Sequence, residues 1–152
     1  MNQLRVQHWL SKGCPKSKLI VGIPTYGRTW TLSGSSTSLG SSASSAGTPG
    51  TLSQEEGLLM YNEICVNIAS QGWTKVSDPC GGCMGPFAYK GNQWVSFDDL
   101  DAVTRKAKYI QEVGLGGAMF WDLPSDDFRN LCGGGTYPLI RSVHTILSSG
   151  SK

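Results

Sequence analysis

Three adjacent acid pairs, Glu55-Glu56, Asp98-Asp99 and Asp126-Asp127, are the residues whose type and spacing best fit general acid-base work. The first two pairs stand where helices are expected to begin, and carboxylates there meet the helix dipole and free backbone amides. Capping is therefore the reading taken for Asp98-Asp99, and it competes for Glu55 and Glu56. Cys80-Gly-Gly-Cys83, with Cys14, allows a short disulfide, a three-thiolate metal site or a redox pair. Zinc needs a fourth ligand, and neither His8 nor His144 has motif spacing. No thioredoxin-like context surrounds the pair, so a local disulfide or free thiols is preferred and no metal site is assigned. Trp121, ending an apolar run, is either a core side chain or an exposed platform.

These residues must be held by something folded. The chain has 152 residues, 39% of them hydrophobic and 16% charged, which suits one globular domain and excludes a disordered or coiled-coil chain. Thirteen Lys and Arg against eleven Asp and Glu leave a net charge of +2 with no basic stripe, so nucleic acid is not an expected partner. No run of about 18 apolar residues exists to span a bilayer, and residues 1–10 lack the pattern of a signal peptide, so no membrane partner is expected.

Hydrophobic spacing sets the elements. Val6, Trp9 and Leu10 share a face of a helix over residues 2–11, stopped by Lys12-Gly-Cys-Pro15. Lys18–Pro24 reads as a strand buried on both faces. Residues 33–51, nearly all Ser, Gly, Ala and Thr, read as a surface loop. Ser53-Gln-Glu-Glu56 resembles a capping box opening a four-turn helix to near Ser70. Residues 87–89 and 93–97 flank Gly91-Asn92 as a hairpin. A helix capped within 96–99 buries Leu100, Val103, Ala107 and Ile110 and ends at Gly114; its Arg105, Lys106 and Lys108 form a solvated face. Gly116–Trp121 is a second apolar strand, and Pro138 opens a closing helix with Leu139, Val143 and Ile146 inward. The order is βαβα with an insertion after the first strand.

Six blocks then carry a family resemblance. They are Lys18-Leu-Ile-Val-Gly-Ile-Pro-Thr-Tyr-Gly-Arg28, Gly57-Leu-Leu-Met-Tyr-Asn-Glu-Ile-Cys65, Gln93-Trp-Val-Ser-Phe-Asp-Asp99, Gly114-Leu-Gly-Gly-Ala-Met-Phe-Trp121, Asp126-Asp-Phe128 and Tyr137-Pro-Leu139. In order and spacing they resemble the C-terminal part of chitinases and chitinase-like lectins of glycoside hydrolase family 18, across about residues 6–147. The resemblance implies an α/β fold with an α+β insertion, that is, about the last quarter of a TIM barrel carrying a chitin-insertion domain. The segments it implies are a barrel remnant at 1–28, the insertion at 29–94 and a second barrel remnant at 95–152. Barrel edges left open in this way are expected to self-associate.

The family's acidic motif, D-x-x-D-x-D-x-E, does not occur in this sequence, so no catalytic residue is assigned and the chain alone is expected not to hydrolyse. The resemblance implies a site for chitin or N-acetylglucosamine oligosaccharides, with Trp121 as sugar platform and Tyr26, Arg28 and Glu55 as contacts. No cofactor is implied. A surface ion pair is the plain alternative for Arg28. Trp30, Trp73 and Trp94 could extend an aromatic track, with Trp94 more structural. Asp126-Asp127 is given a loop-fixing role, and Cys65 is paired with Cys132, a bridge that implies an extracellular, secreted setting. Where the family has Ala or Ser after the tryptophan and then Asp two residues later, this chain has Asp122 and Pro124.

Overall fold

The computed structural model describes residues 2–78 and 85–149. The chain runs α1 (Asn2–Ser11), β1 (Ile20–Pro24), β2 (Tyr26–Leu32), β3 (Ala43–Ala46), β4 (Leu58–Met60), α2 (Tyr61–Ser70), β5 (Thr74–Val76), β6 (Phe87–Lys90), β7 (Gln93–Ser96), α3 (Leu100–Val113), β8 (Gly117–Trp121) and α4 (Pro138–Ser149). Short 3-10 turns at Lys16–Lys18 and Leu123–Ser125 precede β1 and follow β8.

β1 and β8 form a parallel pair, in register from Ile20 opposite Gly117 to Pro24 opposite Trp121. Parallel neighbours need a crossover, and α3 supplies it. Val21 and Ile23 point into a core with Val6, Val103, Ala107, Ile110, Leu139 and Val143. The helices lie on that face alone. Ile20 and Met119, on the other face, remain 49% and 48% exposed, so the strand expected to be buried on both faces is covered on one. Trp9 and Leu100 also depart from the helical pattern: both are exposed, and Ala102 takes the buried place in α3.

α3 begins and ends as its sequence dictates. The Asp99 carboxylate accepts the Ala102 amide at 2.9 Å and pairs with the Lys75 ammonium at 2.7 Å. Gly114 closes the helix at φ 74°, a left-handed turn that glycine enters without steric cost.

The second sheet has the order β3-β2-β7-β6-β5, with β4 on the same edge of β2 as β3. The hairpin expected at 87–97 is β6-β7. The boundaries expected at 28/29 and 94/95 fall inside β2 and β7. The Ser-rich stretch is not all loop: β3 lies within it, because the free edge of β2 accepts any backbone of the right length, and exposed Ala and Ser side chains give no apolar signal. α2 begins at Tyr61 with Met60 at its N-cap, seven residues later than the expected cap at Ser53, because Leu58–Met60 is taken as a strand by β2. Ser53 caps no helix; its hydroxyl donates to the Leu58 carbonyl at 3.1 Å.

One face of this sheet packs on α2 through Leu59, Ile64, Ala88, Val95 and Phe97. Gly27 permits that approach: a Cβ there would stand 2.5 Å from Val95 Cγ2 and 2.8 Å from Ile64 Cδ1. The opposite face carries a smaller cluster of Leu32, Phe87 and Trp94.

Candidate functional site

Trp121 ends β8 with 67% of its surface exposed, on the same open face of the strand pair as Ile20 and Met119. Its place is fixed by β1. The buried Thr25, just beyond Pro24, donates its amide to the Trp121 carbonyl at 3.1 Å and its hydroxyl to the Asp122 carbonyl at 2.5 Å. The Trp121–Asp122 peptide is cis.

The loop that follows is anchored on three sides. Asp126 and Asp127 are wholly buried. Asp126 accepts the amides of Asp127 at 2.8 Å and Ile140 at 3.1 Å, joining the loop to α4. Asp127 accepts those of Leu131 and Cys132 at 2.8 and 2.9 Å. The amide of Asn62 on α2 donates to the Pro124 and Asp126 carbonyls at 3.2 and 3.4 Å. A Cys65–Cys132 disulfide, with Cα atoms 5.9 Å apart, completes the tie to α2. Asp127 lies close to both sulfurs; with the thiols joined and the carboxylate engaged by amides, this cluster offers no metal ligands. The expectation for Cys80 and Cys83 lies outside the described residues, and among the described residues Cys14 is bonded to no other cysteine.

Burial shapes the electrostatics here. It raises the Asp126 carboxyl above the usual carboxylate value against the pull of its amide donors. It also pushes the Tyr61 phenol up to about 12, helped by the charges of Asp126, Asp99 and Asp127. These acids are structural in their contacts.

Tyr26 and Arg28 leave from the same end. β2 starts two residues after Pro24, the partner of Trp121, and alternation puts Tyr26, Arg28 and Trp30 on one face. The Arg28 guanidinium lies 5.1 Å from the Tyr26 ring centroid and forms no ion pair among the described residues, contrary to the plain surface reading. A phenol and a forked donor on one strand face, with an exposed indole at the end of the neighbouring strand pair, are groups that suit a neutral polyol: apolar ring faces meet C–H groups and a guanidinium meets oxygens.

Glu55 is exposed in the turn leading to β4 and caps nothing. The residue that organises this turn, and that the sequence reading missed, is Glu63. Its buried carboxylate accepts the amides of Leu52 at 2.7 Å and Met60 at 3.0 Å. A Glu at the third position of α2 was the available signal, obscured by the misplaced helix start. The candidate aromatic track divides. Trp94 is buried and stacks on Phe87 at 5.2 Å. Trp73 lines a cavity of about 410 Å³ with Thr29, Glu63 and Asn67, on the α2 side of the sheet and away from Arg28. Trp30 and its cross-strand partner Trp94 share the Tyr26–Arg28 face, and of the two Trp30 is the exposed one. Asp122 accepts the Ser125 hydroxyl at 2.5 Å, which turns the departing residue into a brace for the loop.

The model for glycosyl hydrolases family 18 matches residues 2–126. Probable chitinase 10 of Drosophila melanogaster is 43% identical over 143 residues, covering 93% of this chain and 6% of that protein. The crystal structure of catalytic domain 2 of the Ostrinia furnacalis Group II chitinase superposes with a TM-score of 0.91 at 38% identity, covering 95% of this chain and 38% of that one. Human YKL-39, described as a pseudo-chitinase with retained chitooligosaccharide binding properties, superposes at 0.85 with 38% identity over 94% of this chain and 38% of its own. The chain thus spans well under half of each.

Proposed function

This chain belongs to the glycosyl hydrolases of family 18, and from that premise we propose that it is a sugar-binding segment for chitin or N-acetylglucosamine oligosaccharides. The observation that carries the reading is Trp121, 67% exposed where β8 ends, with its carbonyl held by the amide of Thr25, the residue before the strand of Tyr26 and Arg28. Glu55, uncapped and exposed, is a further contact in this reading. The binding face belongs to about the last quarter of a TIM barrel, β1 and β8 being two adjacent barrel strands and residues 29–94 a chitin-insertion domain. The disulfide supports a secreted, extracellular setting.

By itself the chain is not a hydrolase in this reading. The acidic motif that would protonate the leaving oxygen is not in its sequence, and two of the three acids nearest Trp121 in sequence, Asp126 and Asp127, are buried and bound to amides. A second reading, part of an active chitinase when completed by an N-terminal half, is favoured by the uncovered apolar face of β1 and β8.

The test is a titration with N-acetylglucosamine tetramer followed by tryptophan fluorescence. Wild type should saturate with dissociation near 1 mM, about 4 kcal/mol of binding. Trp121→Ala, shown to be folded by circular dichroism, should give no response, and Trp73→Ala should respond as wild type. Equal binding by folded Trp121→Ala overturns the proposal.

A further inference from the structure

Beyond Arg28, the same face of β2 carries one more exposed ring. Trp30 is 47% exposed and stacks on no aromatic ring among the described residues. Its cross-strand partner is Trp94, whose indole N–H donates to the Thr37 carbonyl at 3.1 Å and so holds the 33–42 loop against the sheet. Between strand and loop lies a groove of about 320 Å³, lined by Trp30, Leu32, Ser38, Ser41, Ala43 and Trp94 with Gly40. Its lining is mostly apolar with the hydroxyls of Ser38 and Ser41, and among the described residues no charged side chain lines it. That is the surface of a neutral pyranose in reverse, a C–H face set between hydroxyl edges.

Continuity decides the occupant. β2 leads away from the end of β1, so the order along the face from Trp121 is Tyr26, Arg28, Trp30. At about 3.3 Å per residue, Trp30 stands roughly 13 Å from Tyr26 along the strand. An oligosaccharide lying on Trp121 and Arg28 and extending along β2 arrives at the groove. We infer that Trp30 is the platform of a distal subsite, which takes a neutral N-acetylhexosamine ring farther along the same oligosaccharide. This rests on the sugar-binding reading above, and Trp30 adds to it a dependence on chain length.

Calorimetric titration with N-acetylglucosamine dimer and hexamer tests it. Wild type should bind hexamer roughly tenfold more tightly than dimer. Trp30→Ala should bind dimer as wild type does and lose most of that gain, while Trp30→Phe should keep part of it. A hexamer advantage unchanged in Trp30→Ala, or lost equally in Trp30→Phe and Trp30→Ala together with dimer binding, overturns the distal subsite and leaves the Trp121 reading standing. Failure of wild type to bind either oligomer overturns both.

Discussion

At the scale of single residues, the chemistry divides between exposed aromatics and buried acids. Asp126 and Asp127 hold backbone amides, so replacing either with Ala leaves buried donors unmatched at a cost of about 1 to 3 kcal/mol each, readable in urea unfolding. Tyr61 gives the pH dependence a definite sign. Its phenol ionises near 10 in the unfolded chain and at about 12 when folded. Its contribution to stability is therefore complete below pH 10 and fades as pH rises through 12, by up to about 2 to 3 kcal/mol. Denaturation midpoints of wild type and Tyr61→Phe at pH 9 and pH 11.5 should show the steeper loss in wild type; parallel losses would contradict the assignment. Which aromatics are exposed was not legible from residue type. Trp30 and Trp94 face each other across β2 and β7, yet the 33–42 loop covers one and leaves the other open.

Elements were legible where local and tertiary signals agree. α3 is capped by Asp99, stopped by Gly114 and strongly amphipathic, as its sequence indicates, apart from Leu100, which is exposed while Ala102 is buried. Asp99→Ala should cost about 1 kcal/mol or more through the lost cap, while Asp99→Asn should keep the cap and forfeit only the Lys75 pair, a smaller loss in thermal unfolding. α2 and β3 were misread for one reason: β2 recruits both flanks. It pairs with Leu58–Met60, delaying the helix, and with Ala43–Ala46, whose small side chains carry no pattern. Long-range pairing of that kind leaves no periodic trace in a local window. The packing of α2 on the sheet depends on Gly27, so Gly27→Ala should destabilise by about 1 to 3 kcal/mol through overpacking, seen as a lower urea midpoint.

Taken whole, the molecule is a pair of parallel strands with helices on one side, joined to an α+β sheet by the Thr25 junction and the Cys65–Cys132 bridge. The bridge closes a separation of 67 residues, worth roughly 4 kcal/mol in the chain-entropy model, so the Cys65→Ser/Cys132→Ser variant should unfold at clearly lower denaturant. The blocks that hold Trp121, Tyr26 and Arg28 were legible in the sequence, whereas the exposed Trp30 and the groove beside it, from which the distal subsite is proposed, required the topology. The uncovered side of β1 and β8 presents Ile20 and Met119, and concentration-dependent sedimentation that Met119→Glu reduces is the expected result. The central claim is most directly tested by following the indole N–H signals of all five tryptophans by NMR during titration with N-acetylglucosamine hexamer. The signals of Trp121 and Trp30 should shift together and saturate, with Trp73 still. Saturable shifts centred on Trp73, or none at Trp121, would contradict the account.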